Sequence, residues 1–119
     1  MKALKILVGK MTNNSVGLDE LGLLKTARAA NSNAPGYRHV CHLLDDFSLE
    51  GPHGTHTCLV LDPMGVDVLD IYRSLQGPMP PFLLKRITKH VLRGLQFLHE
   101  DCGIIHAGAT PSQIAPYPY

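Results

Sequence analysis

The sequence predicts an α+β fold in which a few short strands alternate with amphipathic helices. Residues 82–98 repeat apolar side chains every three or four positions, which is the period of an amphipathic helix. Residues 40–49 and 55–61 resemble two strands and are separated by the Gly- and Pro-containing turn 50–54, which predicts an antiparallel hairpin. The predicted order of elements is therefore strand, helix, hairpin, connector, helix and helix.

Composition and charge limit the classes of protein to which the chain can belong. The chain has 119 residues, 45% of them hydrophobic, and a formal net charge of +1, which fits one small domain or a piece of a larger one. Basic residues form no block, so neither nucleic acid nor a membrane is an expected partner. The apolar runs are shorter than the roughly 20 residues that cross a bilayer, and the first ten residues lack the core of a secretory signal. We expect an intracellular protein, in the cytoplasm or nucleus, with reduced thiols at Cys41, Cys58 and Cys102.

A strand and a helix form the first part of the chain. Residues 3–8 are apolar and partly β-branched, which predicts a strand. Residues 11–17 are polar and predict a loop or helix lead-in, and residues 18–30 predict a helix whose first turn contains Asp19 and Glu20. The apolar side of this helix consists of Leu21, Leu24 and Ala27.

The hairpin and the next elements follow from turn residues and composition. Residues 55–61 are richer in β-branched and apolar residues than residues 40–49, which predicts that they form the inner strand of the sheet. Residues 62–65 predict a connector, residues 66–75 a short helix, and residues 76–81 a Pro-rich loop.

The longest helix is predicted from residue 82 to residue 99. Pro80 and Pro81 are favourable residues for the start of a helix, and Gly103 can adopt the left-handed conformation that ends one. We expect a short apolar strand at residues 104–106, after which the apolar pattern stops. The expected core positions are Leu84, Ile87, Val91, Leu95 and Leu98.

These residues, in this order, resemble the SR-protein kinase family of Ser/Thr protein kinases. In that family a third-strand lysine in an Ala-x-Lys motif holds the nucleotide phosphates, and Lys5 stands in its place. A glutamate of the next helix pairs with that lysine, and Glu20 matches it. The resemblance further implies that Leu61 gates the nucleotide pocket. It also implies that the adenine-binding hinge consists of Asp62, Pro63 and Met64.

The resemblance implies a partial kinase-like fold. Residues 1–61 would form a reduced amino-terminal lobe, residues 62–65 the hinge, and residues 66–119 the first helices of the second lobe, with a divergent tail from residue 107. ATP, Mg²⁺ and Arg-Ser-rich substrates are implied by the family. We expect a fragment of a kinase domain, because the resemblance begins within the third strand and no Asp-Phe-Gly metal motif follows residue 114.

The catalytic loop is where the sequence departs from the family. When His106 and Pro111 are aligned with the loop's histidine and proline, Gly108 takes the place of the catalytic aspartate. Thr110 then replaces the lysine that stabilises the transferring phosphoryl group, and Gln113 replaces the asparagine that holds Mg²⁺. The sequence thus predicts no catalytic residues, no phosphoryl transfer by this chain alone, and at most weak ATP binding.

A zinc site is a less favoured alternative. Cys41, His42, His53, His56 and Cys58 surround the hairpin, but their spacing matches no recognised ligand pattern. Surface histidines are the preferred interpretation, and no metal site is predicted.

Two further alternatives are not enzymes. The chain could be a pseudokinase-type module that binds a protein partner through the helix at residues 82–99, if Leu83, Leu92 or Phe97 stay exposed to water. It could instead be a truncated gene product with no independent function, which the abrupt change at residues 107–119 favours.

Overall fold

A computed structural model describes residues 1–7, 15–106, 108 and 111–114. The fold is α+β, as predicted. Short 3₁₀ turns occur at Tyr37–His39 and Pro111–Gln113, and a π-helical turn, Phe97–Asp101, continues the last helix. The strands and α-helices are β1 (Ala3–Ile6), α1 (Ser15–Ala29), β2 (Leu43–Gly51), β3 (Gly54–Leu61), α2 (Val68–Ser74) and α3 (Pro81–Gln96).

The three strands form an antiparallel sheet in the order β1-β3-β2. The hairpin and the inner position of β3 are therefore confirmed. Gly51 pairs with Gly54 at the turn, where Gly54 has a φ of 117°, a backbone conformation that favours glycine. Lys5 lies opposite Leu59 and Ala3 opposite Leu61, so β1 is in register with the carboxyl end of β3.

The chain divides into two compact units, one of residues 1–30 and 41–63 and one of residues 31–40 and 64–119. The core of the first unit is formed by Leu7, Leu43 and Leu59, each at most 3% exposed. α1 lies over this core, as its apolar side predicts, since Ala27 is buried and two leucines pack against the cluster. Those leucines are Leu21 and Leu24.

Phe97 is the centre of the second unit and is 1% exposed. Its ring meets that of Tyr37 edge to face, with centroids 5.5 Å apart. The expectation that Phe97 stays open to water is therefore wrong. The physical reason is that residues 31–40 pack against the end of α3, a long-range contact that the helical period does not reveal.

The start of α1 also differs from the sequence prediction. The helix begins at Ser15, so Asp19 and Glu20 lie beyond its first turn and not within it as expected. Val8 and residues 11–14 lie outside the described residues.

A strand at residues 104–106 is not present, which corrects the sequence prediction. Gly103 has the predicted left-handed conformation, with a φ of 66°. The next amide, that of Ile104, donates to the carbonyl of Leu98 at 2.7 Å. This bond closes the preceding helical turn and removes a donor that a strand would have needed.

Of the core positions predicted for this helix, Ile87, Val91, Leu95 and Leu98 are at least half-buried, as expected, and Leu84 is not. Leu84, an expected core position, is 52% exposed, whereas Gly94 is buried. A Cβ on Gly94 would lie 2.8 Å from the carbonyl oxygen of His39, so the absence of a side chain allows residues 31–40 to approach this side of the helix. Within the described residues, no helix is long and apolar enough to cross a membrane.

Candidate functional site

Lys5 and Glu20 form an ion pair in the first unit. β1 alternates its side chains, so Lys5 lies on the same face of the sheet as the buried Leu7. On α1, Glu20 precedes Leu24 by four residues, which places both on the side of the helix that faces the sheet. The Nζ of Lys5 lies 2.5 Å from the Oε1 of Glu20. The structure thus brings together two residues that are fifteen positions apart in the sequence.

This ion pair remains accessible to solvent. The side chain of Lys5 is 49% exposed and that of Glu20 is 39% exposed. A lysine ammonium has three donors, and one bond to Glu20 leaves donors that can reach a phosphate oxygen. The carboxylate restrains the flexible lysine, so its charge is held at a defined place at the edge of the core.

The predicted gate and the first hinge residues follow directly from the central strand. Leu61 ends β3 and packs against the core of the first unit. The amide of Asp62 donates to the carbonyl oxygen of His42 at 3.2 Å, and the carbonyl of Asp62 accepts a long contact, 4.0 Å, from the thiol of Cys41. These bonds hold the segment after β3 against the segment before β2.

The six predicted nucleotide-contacting residues divide between the two units. The first unit contains Lys5, Glu20, Leu61, Asp62 and Pro63, whereas Met64 belongs to the second unit and is 39% exposed. A role of these residues in binding nucleotide remains a prediction.

Cys41 is held as a neutral thiol. Burial raises its pKa, and the nearby carboxylate of Asp62 raises it further. A neutral thiol is a weak nucleophile and a poor metal ligand, but it can donate a hydrogen bond. Its role here is to donate to the backbone of Asp62.

The positions aligned with the kinase catalytic loop contain no charged side chain. Gly108 is exposed, and its amide donates to the Nδ1 of His106 at 3.3 Å. Gln113 is exposed in the 3₁₀ turn, and Thr110 lies outside the described residues. The turn is joined to the start of α2 by a bond from the amide of Val68 to the carbonyl of Ile114, 2.8 Å long.

The histidines and cysteines of the hairpin have other contacts. The Nδ1 of His56 lies 3.2 Å from the carbonyl oxygen of Leu7, and Cys58 is completely buried. In the described ranges, no three His, Cys, Asp or Glu side chains are grouped as a metal site would need.

Sequence reasoning missed the contact between residues 31–40 and α3. Besides Phe97 and Tyr37, it includes His39 and His90, whose rings stack at a centroid distance of 4.4 Å. Burial lowers the pKa of both histidines. The positive charges around His39, first that of His90 and then that of Arg93, lower the pKa of His39 further. Only the small residues Gly36 and Gly94 could have indicated a close approach, and glycine alone is a weak signal.

Comparison with known proteins identifies relatives along nearly the whole chain. No family model matches it. SRSF protein kinase 3 of Mus musculus is 34% identical over 113 residues, covering 94% of this chain and 20% of that protein. Protein kinase dsk1 of Schizosaccharomyces pombe is 31% identical over 113 residues, 94% of this chain and 21% of that protein. Serine/threonine-protein kinase SKY1 of Saccharomyces cerevisiae is 31% identical over 116 residues, 94% of this chain and 16% of that protein.

The chain spans between 16% and 21% of the length of these curated relatives. Because it covers 94% of the chain, the match includes the helix with Glu20, the hairpin and α3. Over the segment that it shares with these kinases, the chain belongs to the SR-protein kinase family.

Proposed function

We propose that this chain provides part of an ATP-binding cleft of the SR-protein kinase type and does not itself transfer phosphate. The observation that supports it best is the ion pair between Lys5 and Glu20 at 2.5 Å, because kinases place such a pair beside the nucleotide phosphates. We expect the chain to act in the cytoplasm or nucleus, in keeping with the free cysteines Cys41, Cys58 and Cys102.

In this proposal Lys5 binds phosphate oxygens and Glu20 orients it. Leu61 borders the adenine pocket, and the backbone of residues 62–64 binds the base. Both members of the ion pair are more than a third exposed, so water screens the attraction to phosphate and affinity for ATP with Mg²⁺ is weak.

The predicted lack of catalysis rests on three side chains. Phosphoryl transfer depends on positioning and on stabilising charge in the transition state. Gly108 has no carboxylate to orient a substrate hydroxyl, and Thr110 has no positive charge. Gln113 has a neutral amide one carbon further from the backbone than that of asparagine, which displaces a Mg²⁺ ligand.

Thermal melting with and without ATP and Mg²⁺ tests the binding proposal. We expect a small, saturable rise in Tm for the natural chain and none for Lys5→Met, which loses the phosphate partner but keeps the length of the side chain. Lys2→Met is the matched control, because Lys2 is an exposed lysine outside the ion pair. An equal rise in Lys5→Met would show that ATP binds elsewhere, and no rise in the natural chain would refute nucleotide binding.

A phosphoryl-transfer assay tests the second half of the proposal. The natural chain is incubated with radiolabelled ATP, Mg²⁺ and an Arg-Ser-rich peptide, the class of substrate that the kinase family implies. We expect no label on the peptide above the level without protein. Turnover that disappears in Lys5→Met would overturn the prediction of inactivity.

A second candidate function is a non-enzymatic interaction module. The observation that favours it is the exposure of Leu84 and Leu92 on α3, which are 52% and 60% accessible. Covering apolar side chains that are this exposed lowers the free energy of the system, so these leucines favour the binding of a partner.

A further inference from the structure

Two parallel rows of side chains lie on the exposed side of α3. Residues four apart on a helix lie on the same face, so each row runs along the helix axis. The two rows together line a shallow groove of about 540 Å³ that extends to Gln96. The apolar row is Leu84, Thr88 and Leu92, and the basic row beside it is Lys85, Lys89 and Arg93.

The apolar row lies on the solvent side of the helix. Gly94, which is buried, marks the opposite side, where α3 packs against residues 31–40. The two leucines of the row remain more than half exposed, as described above. A partner that covered them would remove apolar surface from water without displacing any packing of the second unit.

The basic row has no acidic neighbour on its own helix. From Pro81 to Gln96 the sequence contains four Lys or Arg residues and no Asp or Glu. In the part of the chain that the structure describes, the ion pairs lie on other elements, at Lys5–Glu20, Lys25–Asp46 and Arg73–Asp70. The groove is therefore a surface of one sign of charge, and its complement is a row of carboxylates.

We propose that this groove binds an acidic amphipathic helix of another protein. Leucine-like side chains of the partner cover the apolar row, and carboxylates spaced by four residues pair with Lys85, Lys89 and Arg93. The inference rests on the second candidate function, the interaction module, and is independent of nucleotide binding. This inference adds to that function the chemistry of the partner, an acidic amphipathic helix.

An anionic membrane fits the groove less well. A helix that lies in a membrane interface buries a broad apolar face and carries cations along it. Here the apolar row has two leucines separated by a threonine, and the cations lie along one flank only. The other flank includes the half-buried Ile87 and Val91 and is turned towards the rest of the unit.

A second copy of the chain fits even less well. Pairing of two α3 helices through this face would place one basic row against another or beside it. Like charges in an interface oppose association, whereas carboxylates would favour it.

A synthetic helical peptide with a Glu row beside a Leu row, each spaced by four residues, provides the probe. It is titrated calorimetrically into the full chain, next to two peptides in which Gln or Lys replaces each Glu. We expect the Glu peptide to bind, with an affinity that falls as salt is raised. The Gln peptide should bind about tenfold more weakly and the Lys peptide not at all.

Variants of the chain locate the site. Lys89→Glu and Leu92→Ser should each weaken binding of the Glu peptide by about tenfold or more, since both are central in the groove. Lys2→Glu and Ile105→Ser are matched controls at exposed positions outside the groove, and should leave the affinity unchanged. Circular dichroism of each variant, unchanged from the natural chain, excludes loss of fold as the cause.

Contrary outcomes distinguish failure of the acidic-partner proposal from failure of the interaction-module function on which it rests. Equal binding of the three peptides, or no binding of the Glu peptide at millimolar concentration, would refute an acidic partner. If Leu92→Ser then abolished binding to phosphatidylserine vesicles or self-association in sedimentation, the interaction module would stand with a different partner. If no probe gave binding sensitive to Leu92→Ser, both the module and its acidic partner would be refuted.

Discussion

The backbone of Gly36 packs directly against the carbonyl of Arg93. A Cβ on Gly36 would lie 2.0 Å from that carbonyl oxygen and 2.6 Å from the Cβ of Phe97. Neither atom is the end of a flexible side chain, so neither can move away without shifting the helix. The absence of a side chain at one position thus allows residues 31–40 to pack against the end of α3.

Gly36→Ala should destabilise the protein by about 2–3 kcal/mol, because the added methyl group overpacks a contact made by backbone. The φ of Gly36 is −84°, which alanine adopts readily, so the effect is steric. Chemical denaturation measures it. Gly77→Ala, where the Cβ has no atom within 4 Å, is the control and should change the free energy of unfolding little. Equal effects of the two substitutions would contradict the close approach.

Phe97→Ala should destabilise the protein by roughly 3–5 kcal/mol, the range for removing a buried aromatic ring. The ring is 1% exposed and also loses its contact with Tyr37. Phe82→Ala removes the same group from the start of α3, where the residue is 74% exposed, and should change the free energy of unfolding by no more than about 0.5 kcal/mol. Urea unfolding of both variants is the measurement, and comparable losses would show that Phe97 is not in the core.

Gly22→Ala should stabilise the protein by about 0.5–1 kcal/mol, since alanine loses less backbone entropy than glycine in a helix. Gly22 lies within α1, and a Cβ there would have no neighbour within 4 Å. The hydroxyl of Thr26 donates to the backbone carbonyl of Gly22 at 2.9 Å. This hydrogen bond does not depend on the side chain at position 22 and is kept in the variant. A lower melting temperature for Gly22→Ala would mean that the helix is packed more closely at this point than described.

The coupling between Lys5 and Glu20 should contribute little to stability, despite their 2.5 Å separation. Their side chains are 49% and 39% exposed, and exposed ion pairs contribute about 1 kcal/mol or less. A double-mutant cycle with Lys5→Met and Glu20→Gln measures the coupling as a difference in the free energy of unfolding. A coupling of several kcal/mol would show that the pair is structural, and melting shifts caused by ATP would then need to be corrected for it.

Stability should fall as the pH is lowered through the range in which His39 and His90 titrate. Burial lowers the pKa of both rings in the folded state. The positive charges around them lower it further: His90, Arg93 and Arg38 act on His39, and Arg86, Arg93 and Lys89 act on His90. The unfolded chain therefore binds protons more readily, so this stability is fully present above a pH of about 6.5 and is lost as the pH falls towards the folded pKa values.

Thermal melting between neutral and mildly acidic pH measures this dependence. His90→Gln should flatten the profile, because it removes one titrating ring and the charge repulsion that protonation of the pair would create. His53→Gln, in the exposed turn between β2 and β3, should leave the profile unchanged. A profile that is identical in the natural chain and in His90→Gln would exclude the stacked pair as the source.

The sequence by itself determined the elements of the first unit and their arrangement. Strands, helix and hairpin follow from local patterns, such as the turn chemistry of residues 50–54, and the composition of residues 55–61 identified the inner strand correctly. It also indicated the family through residues such as Lys5 and Glu20, and the relatives confirm the family but do not test a nucleotide-binding role for these residues.

Only the tertiary structure decided that the buried side of α3 includes Gly94 but not Leu84, and that no strand forms at residues 104–106. Apolar residues occupy more than one side of this helix, so periodicity permits several orientations. The orientation is selected by residues 31–40, which pack where Gly94 leaves room and enclose Phe97. That contact joins segments more than fifty residues apart, whereas helix and strand patterns report only on neighbours along the chain. The same contact leaves Leu84 and Leu92 on the outside.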